Sequence, residues 1–187
     1  MVTETVILAV PRNEKPLAPI SAERVRRLRK HLIASLRGMR TMKDPKGSAS
    51  PLRPEPGGFI GLVVRTACTM CSGFCCKGGG EHAYLDERSM ARVRQAQPEL
   101  DARAVIRRYI ERVPEVGYAG SCVFHGAKGC TLDRALRSDV CNSYFCGDLG
   151  DYVKQDSTAA PVTVFAGEGR TARKSKLLRP PPGSSRR

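Results

Sequence analysis

Cys68, Cys71, Cys75 and Cys76 fall within nine residues, and Cys122, Cys130, Cys141 and Cys146 form a looser second group, so each of the eight cysteines belongs to one of two clusters. Thiolate is the ligand that zinc and iron-sulfur clusters select, and a CxxC turn aims two sulfurs at one point. The chemistry open to these residues is coordination of a soft metal, with oxidation to disulfides as the competing use. Export argues for disulfides and a reducing compartment against them. Glu4 stands where a signal peptide carries basic residues, and the apolar run over residues 6–10 is short for its hydrophobic segment. The longest apolar runs, 6–10 and 59–64, fall well below the roughly eighteen residues that span a bilayer. A cytoplasmic chain is expected, in which thiols coordinate and do not pair.

Several neighbours bear on such a site. Gly73 follows Cys71 by two positions and Gly129 directly precedes Cys130. Glycine at such points accepts the left-handed backbone that turns N–H groups toward a thiolate, although an ordinary tight turn has the same need. Cys75 and Cys76 are adjacent, and adjacent side chains in extended backbone point to opposite sides, so they are not expected to serve one ion alike. Either two sites interleave ligands from both clusters, or one site leaves a thiol spare. Arg65, Lys77, Lys128, Arg134 and Arg137 are cations that can offset thiolate charge. His82 and His125 are fallback metal ligands, and His31, on a basic segment, is not expected to bind metal. Crowding Cys68, Cys71, Cys75 and Cys76 on one zinc is strained, whereas a four-iron cluster spreads its thiolates over separate corners; the spacing leans to iron-sulfur over zinc without deciding between them.

The elements that must position these residues follow from hydrophobic period and breakers. Residues 1–20 read as an extension with one strand over 5–10, closed by Pro11. Residues 21–41 read as a basic amphipathic helix capped by Ser21, with Val25, Leu28, Leu32, Leu36 and Met39 on its apolar face. Residues 42–58, rich in Pro, Gly, Ser and Lys, read as a linker. A cysteine-cluster domain over 59–157 is expected to begin with a short apolar strand over 59–64 that runs into Cys68. It continues with a helix capped by Asp86 and a second opened by Pro98 and stopped by Pro114, then a strand over 117–124 that delivers Cys122. This helical pair is expected to bring the clusters together. Residues 158–187 read as a disordered basic tail. The fold class expected is small α+β, helix-rich with short strands and irregular metal-binding loops, stapled by cysteine-ligated metal. With no Trp and 5% aromatic residues the core is modest, and metal bonds contribute folding free energy where the unfolded chain has no site.

The segments CTMCSGFCC, SCVFHGAKGC and CNSYFC together resemble the YkgJ-like cysteine-cluster family, whose CxxCxxCC domain is described as zinc- or iron-chelating. The resemblance covers roughly residues 64–146 and implies Cys68, Cys71, Cys75, Cys76, Cys122, Cys130, Cys141 and Cys146 as metal residues. One departure stands out: members often carry Arg-Pro before the third late cysteine, where this chain has Arg137 followed by Ser138. The same domain resembles part of flagellin lysine N-methylases, which transfer methyl groups from S-adenosylmethionine. No glycine-rich strand-turn-helix for that cofactor is recognisable, and residues 77–80 read as a loop.

The formal charge of +14 is a second signal. Eight thiolates and two divalent ions would reduce it to about +10, still basic. The expected function is therefore cytosolic metal binding through eight cysteines. The alternatives are a basic module that meets RNA, the ribosome or an acidic partner through its helix and tail, with metal only structural, and a domain of a cluster-dependent methyltransferase. No base, nucleophile or oxyanion arrangement is recognisable, and no thioredoxin-like setting surrounds the CxxC, so catalysis is not expected.

Overall fold

The computed structural model describes residues 4–43, 54–155, 160–168 and 171–181. In chain order the elements are β1 (Val6–Pro11), β2 (Leu17–Pro19), α1 (Ala22–Arg40), α2 (Gly58–Cys71), α3 (Glu87–Ala96), α4 (Ala102–Ile110), β3 (Val116–Tyr118), β4 (His125–Gly126), β5 (Gly129–Cys130), α5 (Asp139–Ser143), α6 (Gly147–Lys154), β6 (Val162–Glu168) and β7 (Thr171–Leu178). Short 3-10 turns lie at Phe74–Gly78 and Arg134–Leu136. The result is a small α+β chain with six α-helices and two small sheets among the described residues.

The chain forms two units woven from separate segments, one from Met1–Glu14, Pro54–Phe74 and Tyr144–Arg187, the other from Lys15–Arg53 and Cys75–Ser143. The boundaries between these units fall within both cysteine clusters.

The helical unit contains α1, α3, α4 and α5 and a four-stranded sheet ordered β2-β3-β4-β5. Ser21 caps α1, its hydroxyl accepting the Arg24 N–H at 3.3 Å, and Leu28, Leu32 and Leu36 recur at four-residue intervals on the buried face. Asp86 caps α3 as expected, its carboxylate accepting the Ser89 N–H at 2.9 Å. The second helix does not open at Pro98; Asp101 caps it instead, accepting the Ala104 N–H at 2.6 Å. An acceptor side chain satisfies an orphan helix N–H, which a proline cannot do. The expected strand over 117–124 shortens to β3 and a turn at Ser121, whose N–H donates to the Tyr118 carbonyl at 3.1 Å. One core contains the leucines of α1, Met90 and Val93 of α3, Val105 and Tyr109 of α4, and Val123, Phe124, Leu132 and Leu136 from the later loops.

The sheet unit is built on a three-stranded sheet, β1-β6-β7, in which β1 and β6 run parallel and β6 and β7 antiparallel. In register, Val6, Leu8 and Val10 stand beside Val162, Val164 and Ala166, so one sheet face is almost continuously apolar. α2 and α6 cover it through Phe59, Val63, Ala67, Met70, Leu149 and Tyr152. The first turn of α6 also meets the outer edge of β1, where the Ala9 N–H donates to the Asp148 carboxylate at 3.2 Å.

Two expectations fail here. Residues 59–64 do not form a strand but open α2, because Phe59, Val63, Ala67 and Met70 recur every three or four residues and bury one helical stripe. Residues 158–187 are not a disordered tail throughout, because 162–168 and 171–178 are strands; Val162, Val164 and Ala166 are fully buried, and β7 pairs along β6. The expected linker lies largely outside the described residues.

Leu32→Ala removes a fully buried side chain and is expected to destabilise the helical unit by about 2–5 kcal/mol. Arg29→Ala on the exposed side of α1 should stay within about 0.5 kcal/mol, and urea unfolding followed by circular dichroism compares the two.

Candidate metal centre

None of the eight cysteines is joined in a disulfide, and the two units divide them. Cys75, Cys76, Cys122, Cys130 and Cys141 belong to the helical unit; Cys68, Cys71 and Cys146 belong to the sheet unit. Each unit therefore takes cysteines from both sequence clusters.

In the helical unit, Cys75 and Cys76 sit on the 3-10 turn, not on extended backbone, and their thiols hydrogen-bond to each other. That corrects the expectation that they point apart: 3-10 winding leaves consecutive side chains on neighbouring sides. The bond holds Cys75 down at about 7 and drives Cys76 far above the ordinary thiol range, with burial and then the charge of Cys75, Cys122 and Cys130 adding to the rise. The Cys122 N–H donates to the Cys76 carbonyl at 2.9 Å, tying the second cluster to the first. Cys122 packs so closely on Gly79 that a Cβ there would lie 2.8 Å from the Cys122 Cβ and 3.2 Å from its sulfur. Burial pushes Cys122 up to about 12, reinforced by Cys130 and Cys141 and opposed by Arg24. Cys141 is raised as well, by burial first and then by the charge of Cys130 and Cys75, with Ser138 and Arg137 opposing. Among the cations singled out from sequence, Arg137 is placed to offset a thiolate; Arg24 of α1, which sequence reasoning missed, is the other.

A ring of polar contacts holds these thiols. Arg24 bonds the Glu81 carboxylate at 2.7 Å and also reaches the Ser121 carbonyl, so α1 grips the segments on either side of the site. Arg92 of α3, itself buried, bonds Asp139 at 3.0 Å and the Ala135 carbonyl at 2.7 Å and also meets the Arg137 carbonyl, fixing the loop that presents Cys141. Tyr109 donates to the Leu136 carbonyl at 2.8 Å on the same loop. The backbone between the clusters is strained: Ala83 and Tyr84, neither a glycine, both take left-handed φ values, of 52° and 55°. Such residues cost of order 1–3 kcal/mol each and persist where their surroundings over-determine them. Here the Tyr84 N–H donates to His82 Nδ1 at 2.9 Å, and the Cys141 thiol faces the Ala83 carbonyl at 4.0 Å.

The two fallback histidines differ. His82 is exposed, and its Nδ1 lone pair already accepts the Tyr84 N–H. His125 is buried, stands opposite Cys130 in the β4-β5 ladder and shares a hydrogen bond at 2.8 Å between Nδ1 and the Ser121 hydroxyl. Residues opposed in an antiparallel ladder share a face. Burial lowers the His125 pKa and so favours the neutral, ligating imidazole. His31 binds the Leu85 carbonyl through Nε2 at 2.6 Å.

In the sheet unit, the CxxC closes α2 instead of forming a free turn: Cys68 is exposed and Cys71 buried on its last turn. Ser72 and Gly73 follow with left-handed φ values of 53° and 67°, and this reversal brings the Phe74 N–H to the Cys71 sulfur at 3.3 Å. That is the contact expected of Gly73. Gly129, with φ of 107°, serves the turn before Cys130. Cys146 caps α6 and packs against the same core as Cys71.

Among the described residues, no three His, Cys, Asp or Glu side chains stand close enough to enclose an ion as placed. The chemistry of the helical unit's donors nonetheless fits a soft cation: its five thiols are near enough that several raise one another's pKa, and a cation reverses that effect. No helix among the described residues is long and apolar enough to cross a membrane. Compared with known proteins, the chain matches no family model, no curated protein and no solved structure.

Glu81 supplies a pH test of the grip on α1. Its hydrogen bond to Arg24 holds its carboxyl below the usual range, so the folded state binds its proton less readily than the unfolded state does. The contribution to stability is then complete above the unfolded value of about 4.3 and is lost as pH falls through the folded value. Thermal unfolding of Glu81→Gln should show a deficit near pH 7 that shrinks in acid.

Proposed function

We propose that this chain is a metal-binding protein of the YkgJ-like cysteine-cluster type, holding zinc or iron through thiolates of Cys75, Cys76, Cys122, Cys130 and Cys141 in the helical unit and of Cys68, Cys71 and Cys146 in the sheet unit. The observation that carries this reading is the gathering of five thiols from both sequence clusters in one unit, where Cys76, Cys122 and Cys141 are each raised by the charge of others in the set. A bound cation would supply the positive charge that lets buried thiols such as Cys122 ionise. The chain's own part is to hold the sulfurs: Arg24 and Glu81 fix one side, and Arg92 and Tyr109 fix the loop of Cys141. His125 is the nitrogen ligand best placed to complete a site beside Cys130.

The test is purification without air, followed by metal and sulfide analysis and an absorption spectrum. Zinc or iron at a stoichiometric level is expected, with visible colour and sulfide selecting an iron-sulfur cluster. Cys76→Ser and Cys122→Ser should remove the helical unit's share, and Cys71→Ser a separate share. Protein that is isolated free of metal and takes up neither zinc nor iron when these are added without air overturns the reading.

A second reading is favoured by β7, whose Arg173, Lys174 and Lys176 are all exposed on one edge strand. Such a strand suits RNA phosphates, with metal in a structural role. Affinity for RNA should fall steeply with salt. Neutralising the three cations with glutamine should flatten the log–log salt slope by about one for each phosphate that is no longer engaged, measured by fluorescence anisotropy. Salt-insensitive or absent binding removes this reading.

A further inference from the structure

The two edges of the three-stranded sheet differ. At the β1 edge the Ala9 N–H is already taken, by the Asp148 carboxylate at 3.2 Å. At the other edge, β7 pairs with β6 alone among the described residues, and all side chains over 171–177 are exposed. The outer side of β7 thus presents a row of backbone N–H and C=O groups with no strand beside them. Register sets what each face of this edge offers. Arg173 is the extra residue of a bulge opposite Ala166 and Gly167, so the regular edge covers 174–178. Lys174 and Lys176 stand opposite Ala166 and Val164, on the face that α2 and α6 cover, yet both are exposed at its rim. Ser175 and Leu177 stand opposite Phe165 and Thr163, on the reverse face. There Ile7, Thr163 and Leu177 form a row across the sheet, and Ile7 and Leu177 remain 66% and 48% exposed.

We propose that the β7 edge receives an extended segment of a partner protein in which acidic residues alternate with apolar ones, added to the sheet as a fourth strand. The open ladder supplies the backbone hydrogen bonds, and alternate side chains supply the selection. Side chains of a strand alternate between faces, so one set of the incoming segment lies beside Lys174 and Lys176 and the other beside Leu177. Acidic residues in the first set meet uncompensated charge: Arg173 has Glu14 at 3.6 Å, whereas among the described residues Lys174 and Lys176 have no acidic side chain within ion-pair reach. Apolar residues in the second set extend the exposed row of Ile7, Thr163 and Leu177. The same charges turn away a second copy of the chain. Laid antiparallel about Ser175, two β7 strands set Lys174 against Lys176 twice, and like charges directly opposite are unfavourable. Lysine on an edge keeps out strands in general, and an acidic strand is the class that it admits. The metal-binding reading plays no part in this, and the RNA reading makes a different demand on the same lysines: phosphate needs their charge but no ladder.

The experiment titrates the full chain into a fluorescent peptide of alternating glutamate and valine and follows anisotropy. Two controls have the same charge: a block peptide with all its glutamates before its valines, and the alternating peptide N-methylated throughout, which lacks backbone donors. The alternating peptide should bind about 10-fold more tightly than either control. The double variant Lys174→Glu with Lys176→Glu should bind it about 10-fold more weakly than the parent, and should in exchange bind an alternating lysine and valine peptide that the parent rejects. That gain also shows that the variant is folded; if circular dichroism finds it unfolded, the three peptides on the parent chain decide. A parent that binds all three equally treats the lysines as an anion patch, which overturns strand addition and leaves the RNA reading standing. A parent that binds none of them, or a folded double variant with the parent's preference, overturns the proposal as well.

Discussion

Charge crowding is the constraint on which the helical unit depends. Cys75, Cys76, Cys122, Cys130 and Cys141 are placed so that ionising one makes it harder to ionise others, and burial raises Cys76, Cys122 and Cys141 further. The unit meets part of this by sharing a proton between Cys75 and Cys76 and part by setting Arg24 toward Cys122 and Arg137 toward Cys141. Two guanidinium groups do not balance five thiolates, so without further positive charge most of these sulfurs remain protonated. A soft cation is the partner that removes this imbalance most directly, because it favours the thiolate form outright.

Holding the sulfurs in place falls to groups far away in sequence. Arg24 reaches Glu81 and Ser121 from the first turn of α1, and Arg92 reaches Asp139 and two carbonyls of the loop before Cys141. Arginine suits both tasks, since its planar fork offers several donors at fixed angles where lysine offers a single point of charge. The buried Arg92 satisfies the carbonyls of a loop that has little regular structure of its own. The loop's remaining anchors, Tyr109 and Asn142, donate to the Leu136 and Arg134 carbonyls at 2.8 Å and 3.0 Å. The irregular loop before Cys141 is thus held by side chains, not by a ladder.

What was legible in the sequence was what local physics determines. α1 and α3 were readable with their caps, because an apolar stripe and an oxygen-bearing N-cap are local signals. β1 was readable as a strand, but its partner was not: Val6 pairs with Val162, and no short-range pattern carries a parallel pairing across most of the chain. For the same reason β6 and β7 passed as tail, since the basic residues of β7 conceal a strand whose partner alternates buried and half-buried positions. α2 is not legible in residues 59–64 alone, which are too short to separate the two periods; the stripe becomes helical only when Ala67 and Met70 are included. The cysteines were legible as a set but not in their grouping, because the passage from one unit to the other falls between Phe74 and Cys75 and again between Ser143 and Tyr144.

This grouping has an energetic consequence. Within the helical unit, an ion shared by Cys76 and Cys122 would close a loop of about 46 residues, and the entropy of closure grows only with the logarithm of loop length. The long helical insert is therefore inexpensive to enclose, and most of what it contains, α3 and α4 with Met90, Val93, Val105 and Tyr109, is already in the core. In the sheet unit, Cys71 and Cys146 lie farther apart in sequence yet on α2 and at the start of α6, two helices that already share the face of one sheet. In both units the cysteine-bearing segments are packed through the apolar core, so coordination would act on thiols that packing holds near one another. The sulfurs then need only local adjustment to ligate, so metal binding would add to the stability of a formed core and would not have to create one.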